Sequence, residues 1–283
     1  MERKIRNAVL GASQRCRCRF GGWPLMPSVS AILITRNEIH NLADCLAGLS
    51  WCNEVIVMDS GSTDGSAELA RQLGARVQCQ TDWPGFGPQK NRALDLAQGE
   101  WVLSIDADER VTPALAEEIQ AAIGRADAPD AFSLPRLSSY CGQFMRHGGW
   151  YPDRVVRLFR RGKARFSDDI VHESVQVQGP VGQLRHDLLH ISYRSLDDVL
   201  EKMNRYSSAG AEKLASRGRR ASLATALGKS LWAFIRTYLL RRGFLDGRLG
   251  FVLACSVAQE TWYRYLKLWL AQRPVGENKN HLS

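Results

Sequence analysis

Four apolar runs of strand length fix most of what this chain can become, because each stops abruptly at polar residues and each is followed by a stretch with helical spacing. "VSAILIT" (Val29–Thr35) stops at "RNE", "EVIVMD" (Glu54–Asp59) ends on an aspartate, "RVQCQ" follows at 76–80, and "EWVLSID" at 100–106 again ends on an aspartate. Between and after them come "NLADCLAGL", "AELARQLGA" closed by Gly74, "GPQKNRALDLAQG" entered through Pro88 and left at Gly99, and "TPALAEEIQAAIG". The last carries Thr112 as N-cap, Pro113 in the first turn and Gly124 as its stop. Strands alternating with helices predict a parallel sheet covered on both faces. In such sheets ligands bind beyond the carboxyl ends of the strands. Topology alone therefore gathers Thr35, Glu38, Asp59, Asp106 and Asp108 on one rim.

After Asp130 the pattern changes. "AFSLPRL", "DRVVRLFRR", "IVHESVQVQG" and "LLHISY" read as strands without helices between them, a mixed or antiparallel continuation of the sheet. From Ser195 the chain turns helical: Leu196, Val199, Leu200, Met203, Tyr206 and Leu214 keep a helical period, and further helices are expected at roughly 223–242 and 249–271. The fold class is α/β, a Rossmann-like mixed sheet flanked by helices, with a C-terminal amphipathic helical extension. The expected division is a basic, disordered arm at 1–27 (or an extension upstream of a start at Met26), an α/β domain at 28–193, a basic helical region at 194–273 and a tail at 274–283.

The net charge of +9 is unevenly spread. Residues 28–193 hold 16 Lys/Arg against 21 Asp/Glu, and residues 194–273 hold 15 against 6. A mildly acidic body with a basic C-terminal third points to an anionic surface as partner, lipid headgroups or nucleic acid. The seven cysteines form no regular framework, which fits a reducing compartment. Cys16 and Cys18 have no second Cys/His pair at zinc-finger spacing, so no structural metal is expected there. No uncharged apolar run is long enough to span a bilayer, and the basic N-terminus lacks the apolar core of a signal peptide.

The rim residues carry the chemistry. Asp106 and Asp108 are two hard carboxylates one residue apart, suited to Mg²⁺ or Mn²⁺ completed by substrate phosphates. A helix entry with acids near its N-terminus would need the same residues. "TRNE" and "DSGSTDGS" suit a nucleotide-diphosphate site: Asp59 can accept from a base imide, and Asp64 or Ser62 can cap the next helix. Lys90 and Arg92 open a helix, where the dipole disfavours cations, which points to a bound anion.

"ILITRNE", "VIVMDSGSTDGS", "GPQKNRAL" and "WVLSIDADE", in this order and spacing, resemble the inverting family 2 glycosyltransferases of the GT-A fold. With "HGGWYPDRVVRLFRR", "VHE" and "RRGFLDGRLGF" the pattern is similar to the lipopolysaccharide-core β-1,4-glucosyltransferase subgroup, over about residues 28–270. The resemblance implies that Thr35, Glu38 and Asp59 meet the uridine, that Lys90 lies beside the nucleotide, that Asp106 faces ribose and metal, and that Asp108 binds the cation bridging the phosphates. It implies a glycine-rich acceptor loop at "HGGW", then an acidic base, then a late histidine, His190, completing the metal shell. A buried histidine hydrogen-bonded within its strand is the other reading of His190. Where the family places an aspartate in an E-D pair, this chain has His172-Glu173. Glu173 is taken as the catalytic base, with Asp153 in reserve.

The implied activity is metal-dependent transfer of glucose from UDP-glucose to a heptose of the lipopolysaccharide inner core, at the cytoplasmic face of a bacterial inner membrane. Another lipid-linked acceptor, such as a polyprenyl phosphate or a capsule intermediate, is the nearest rival. Leu231, Trp232, Phe234, Ile235, Tyr238 and Leu239 interleave with Lys229, Arg236, Arg241 and Arg242 as an interfacial helix would, and Trp262, Tyr263, Tyr265 and Trp269 add aromatic anchors. A helix pair simply packed on the catalytic domain would read the same way. A non-catalytic nucleic-acid-binding module is the rival from another class. The basic residues sit on aromatic, apolar helices and form no nucleic-acid motif, so no nucleic acid is expected as a partner.

Overall fold

A computed structural model describes residues 27–167 and 174–273. The N-terminal arm, the tail, and the His172-Glu173 pair lie outside the described residues. In chain order the elements are β1 (Val29–Thr35), α1 (Ile39–Ala47), β2 (Glu54–Asp59), α2 (Ser66–Gln72), β3 (Arg76–Cys79), α3 (Phe86–Asp95), β4 (Trp101–Ser104), β5 (Glu109–Val111) and α4 (Pro113–Ile123). Then follow β6 (Ala131–Tyr140), β7 (Gln143–Phe144), β8 (Asp153–Arg160), β9 (Ala164–Phe166), β10 (Val175–Val177), β11 (Val181–Gln183) and β12 (Leu188–Tyr193). Three helices close the described chain: α5 (Leu196–Ser216), α6 (Leu223–Ile235) and α7 (Gly247–Ala271), the last two joined by a π turn (Arg236–Leu240) and a 3₁₀ turn (Gly243–Asp246).

The main sheet runs β3-β2-β1-β4-β8-β6-β12-β5. β3, β2, β1 and β4 are parallel, as the alternation predicts, and β8 enters antiparallel between β4 and β6. The register sets Thr35 opposite Asp59, so two rim residues are neighbours by backbone pairing alone. β1 is buried on both faces, which explains its unbroken apolar run. Val29, Ala31 and Leu33 pack with Leu42, Leu115 and Ile119 on one side. Ile32 packs with Ala93, Leu94 and Phe159 on the other.

Local details depart from the sequence reading in instructive ways. The fourth strand ends at Ser104, and the aspartates sit in the tight turn between β4 and β5. That turn exists because β5 leaves β4 and pairs antiparallel with β12, Glu109 facing His190 in register. α3 starts at Phe86, two residues before Pro88, and α2 has Gly65 in the left-handed region at its N-cap. Of the long strand expected at 170–179, β10 is described, paired with β9 in a ribbon apart from the main sheet. The helices dock on the far end of the sheet through Tyr140, Met145, Val199, Met203 and Leu253.

Candidate active site

The loops after β1 and β2 are laced to each other before any ligand enters. Asn37, left-handed at φ 57°, donates its backbone N–H to Ser62 Oγ (2.9 Å) and accepts from Thr63 N–H through Oδ1 (2.9 Å). Glu38 N–H donates to Ser66 Oγ (2.9 Å) and Ile39 N–H to Asp64 Oδ2 (3.0 Å). Asp64 also accepts from Ser66 N–H (3.0 Å), so one carboxylate serves the orphan donors at the start of both α1 and α2. The "TRNE" and "DSGSTDGS" motifs are two halves of one lattice.

Asp59, only 2% exposed, sits beneath that lattice. Its Oδ1 accepts from Gly61 and Ser62 N–H (3.0 and 2.9 Å), and its Oδ2 from Thr35 Oγ1 (3.0 Å) and Ser62 Oγ (2.5 Å). Four donors fill the acceptor capacity of a carboxylate. In this geometry Asp59 shapes the rim and has no lone pair to spare for a base.

The two aspartates of the β4–β5 turn differ sharply. Asp106 gives Oδ1 to Lys90 Nζ (3.0 Å) and Oδ2 to Arg157 Nη2. Arg157 also donates to Glu109 Oε1 (2.6 Å), and Glu109 Oε2 accepts from Asp106 N–H (3.0 Å). Lys90 lies 5.7 Å from the Phe166 ring centre and is almost fully buried. Burial works to raise the Asp106 pKa, but the Arg157 guanidinium and the Lys90 ammonium overcome it and hold the carboxyl far below the usual carboxylate range. Glu109, fully buried, goes the other way: burial raises it, Arg157 opposes, and the Asp106 charge adds to the rise. Arg157 is held protonated, its two carboxylates outweighing its own desolvation.

Asp108 keeps a different company. Its Oδ2 accepts from His190 Nε2 (3.2 Å), and His190 Nδ1 meets Ser138 Oγ (2.9 Å). A carboxylate can only accept, so Nε2 is the donor in the contact with Asp108. The turn is held by Ile191 N–H on the Asp108 carbonyl (2.8 Å).

Two hollows meet at this pair. The first, about 470 Å³, is lined by Thr35, Glu38, Asp106 and Asp108, together with Arg36, Trp83, Phe86 and Arg205. The second, about 330 Å³, is lined by Ser138, Gly149, Trp150, Asp153, His190 and Tyr193, among others. Asp108 faces one and His190 the other, so their hydrogen bond forms part of the partition. A larger hollow of about 580 Å³ between α4 and β11 has a different character. Its Glu118 carboxylate is already taken by the N–H groups of Arg185 and His186 and by His186 Nδ1.

Asp153, the reserve base, accepts from Arg136 Nε (3.0 Å) and Nη2 (2.6 Å) at the second hollow. The glycine-rich loop beside it is pinned from the C-terminal helices. His147 N–H and Nδ1 both contact Asp246 (2.8 and 2.7 Å), and Gly148 N–H donates to the Arg241 carbonyl (2.9 Å). Gly149 sits at φ 83°, a left-handed conformation that strains any other residue, and a Cβ there would also push the Arg241 guanidinium aside. Cys45 lies under the rim with its Sγ 3.6 Å from the Asp106 carbonyl; burial pushes its thiol up to about 12, which removes it as a nucleophile at neutral pH.

Residues 30–178 match the family described as "Glycosyl transferase family 2". The chain belongs to that family. A lipopolysaccharide core biosynthesis glycosyltransferase, LpsC of Rhizobium meliloti, is 30% identical over 260 residues, covering 86% of this chain and 94% of the relative. An uncharacterized glycosyltransferase of Rickettsia felis is 30% identical over 267 residues, covering 90% and 93%. Among solved structures, S. aureus TarS 1-349 aligns over 86% of this chain and 84% of that one, at 17% identity and a TM-score of 0.45. The family match stops before His190, Arg205 and the last three helices, whereas the two relatives extend well beyond it.

As a family 2 member the chain has its expected residues distributed in three ways. Thr35, Glu38, Asp106 and Asp108 line one hollow, with Lys90 bonded to Asp106 beneath it. Asp59 stands behind them, and His190 reaches from β12 to Asp108. Glu173 lies outside the described residues. Arg157, Glu109, Trp83, Phe86 and Arg205 escaped the sequence reading. Glu109 was in view as the last letter of "DADE", and Trp83 and Phe86 as the aromatics of "WPGF"; Arg157 and Arg205 carry no local signal.

A divalent cation fits these residues in a limited way. Asp106 spends both oxygens on protein cations, while Asp108 is 30% exposed and its Oδ1 takes no hydrogen bond among the described residues. Among the described residues no three His, Cys, Asp or Glu side chains form a ready cage. The donor set therefore suits a hard cation held by Asp108, with His190 adjoining and phosphate oxygens supplying the rest.

Proposed function

We propose that the protein is an inverting glucosyltransferase that moves glucose from UDP-glucose to a heptose of the lipopolysaccharide inner core, working peripherally at the cytoplasmic face of the bacterial inner membrane. The observation that carries this reading is the partition: an open carboxylate, Asp108, faces one hollow and is bonded to a histidine that lines a second. Two substrates need two chambers and a shared wall. The core-biosynthesis relative supports the choice of acceptor.

In this reading UDP-glucose occupies the first hollow. Trp83 and Phe86, packed edge to face at 4.9 Å, offer apolar aromatic surface, and Arg36 and Arg205 bring positive charge to the diphosphate. Mg²⁺ or Mn²⁺ at Asp108 would offset the charge that develops on the leaving diphosphate. The acceptor enters the second hollow, where Trp150 and Tyr193, 5.7 Å apart, present faces to a sugar ring. An acceptor hydroxyl attacks the anomeric carbon from the side opposite the diphosphate. The new C–O bond forms as the bond to the diphosphate oxygen breaks, the hydroxyl proton passes to a carboxylate, and UDP departs with the electron pair. Glu173 takes the proton. Asp153 is the alternative, already engaged by Arg136.

The test is labelled transfer from a panel of nucleotide sugars onto truncated lipopolysaccharide. Transfer from UDP-glucose that is lost in Asp108→Ala and Glu173→Gln and kept in Asp153→Asn is expected. Transfer from GDP-mannose alone would overturn the donor. A silent Asp153→Asn beside an active Glu173→Gln would move the base.

A further inference from the structure

Residues 223–259 contain five cations, Lys229, Arg236, Arg241, Arg242 and Arg248, and a single acid, Asp246. That acid is turned inward. It is 8% exposed and accepts from the backbone N–H groups of Arg146 and His147 and from the His147 ring. The outward surface of this segment therefore carries positive charge alone. It is also unusually apolar for a surface: Leu239, Leu240, Phe244 and Leu245 are 52%, 62%, 45% and 55% exposed at the turn between α6 and α7.

The backbone explains why these side chains face out. The π turn and the left-handed Arg242 (φ 56°) reverse the chain within a few residues. Gly250 lies so close to Gly243 that a Cβ there would stand 1.9 Å from the Gly243 carbonyl oxygen. The inner side of the turn is thus filled by main chain and by Asp246, with no room for large side chains. By contrast Phe234 and Tyr238, expected to face a bilayer, are half-buried and meet Phe251 edge to face at 5.8 and 5.6 Å. Leu223, Leu227 and Leu231, with Trp232 beside them, are exposed along one face of α6, and the knuckle continues that surface.

We propose that this knuckle docks on an anionic bilayer, with Leu239, Leu240, Phe244 and Leu245 entering the acyl boundary and Arg236, Arg241 and Arg242 meeting headgroup phosphates. The charge complementarity decides the occupant: a rim of arginines with no exposed acid suits a phosphate-bearing surface and repels a second copy of itself. The knuckle is bound to the 147–152 loop through the Asp246–His147 pair and the Gly148–Arg241 bond, so docking also sets the height of the second hollow above the lipid. Asp246 is in this sense a positioning residue. The inference rests on the reading that the acceptor is lipid-linked.

The test uses the full chain and vesicles of phosphatidylglycerol with phosphatidylethanolamine, against vesicles of phosphatidylcholine alone. Wild type is expected to sediment with the anionic vesicles only. Arg236→Gln with Arg242→Gln should weaken binding about 25-fold, roughly fivefold per arginine, and Leu240→Ser with Leu245→Ser should weaken it at unchanged charge, while UDP affinity stays at the wild-type value in both. Asp246→Asn should keep vesicle binding and UDP affinity but raise the KM for a membrane-embedded acceptor, with little change in kcat. Wild type that ignores both vesicles, or variants that bind as well as wild type, would overturn the docking surface. A concentration-dependent dimer abolished by the leucine variants would assign the face to a second copy instead. An unchanged KM in Asp246→Asn would remove the positioning role. Vesicle binding without any transfer from UDP-glucose would refute the proposed function and leave the docking surface standing.

Discussion

The two aspartates of the β4–β5 turn stand one residue apart and live in different worlds. Asp106 is locked by Lys90 and Arg157, whereas Asp108 shares one hydrogen bond with His190 and keeps an oxygen toward the first hollow. The same contrast divides the rim at large. Around β1 and β2 every loop polar group described above closes on another, while around β12 and the 147–152 loop the residues border an open hollow. One carboxylate organises the site and its neighbour is left to act in it.

The largest expected effect sharpens this contrast. Asp108→Ala should cost about 10²–10³-fold in transfer rate, the scale of losing one charge-stabilising group, with an unchanged melting temperature. Asp106→Ala should lose activity and stability together. It leaves Arg157 and Lys90 short of a partner in a buried network; because Asp106 is itself 31% exposed, we expect about 2–3 kcal/mol, below the full cost of breaking a fully buried pair. Equal melting temperatures for the two variants would dissolve the distinction.

A second expectation concerns pH. Burial raises the Cys45 thiol from its ordinary 9.0 to about 12. Between these values the unfolded chain has released a proton that the native chain still holds, so stability falls as pH rises from about 9 to 12 and is unaffected by this group below that window. Melting curves across that range should show a shallower alkaline decline in Cys45→Ala, and alkylation at pH 8 should label the exposed Cys79 and spare Cys45. Labelling of both in the folded protein would show that the rim is not closed underneath.

The smallest effect tests the lattice. Asn37→Ala removes the acceptor for Thr63 N–H and strains a left-handed backbone, for about 1–2 kcal/mol. Asn37→Gly relieves the strain and should recover about half. Thermal melts and UDP affinity should move together in both variants. Stability lost with UDP affinity untouched would separate the lattice from the nucleotide site.

The first half of this architecture was open to reading because its signals are local. An apolar strand that stops at a polar residue announces both its burial and its rim end, and Thr112 with Pro113 announces α4, whose Thr112 side chain indeed caps Leu115 N–H. The Thr35–Asp59 contact follows from parallel pairing. What stayed hidden depends on contacts between distant segments. Arg157 is one of three arginines in β8 and looks like an outward residue until Asp106 and Glu109 are brought to it by the β4–β8 pairing. Arg205 belongs to a helix whose own pattern concerns only its packing on Tyr140 and Leu253. The short β5 could not be foreseen either, since three residues carry no period and its partner β12 lies some 80 positions downstream, as the Asp108–His190 separation of 82 shows.

That separation has a consequence for the order of events. The partition between the two chambers includes an imidazole and a carboxylate, and each belongs to a different half of the chain. The seam closes only once β12 has paired with β5, so neither chamber is complete until both halves of the chain are in place.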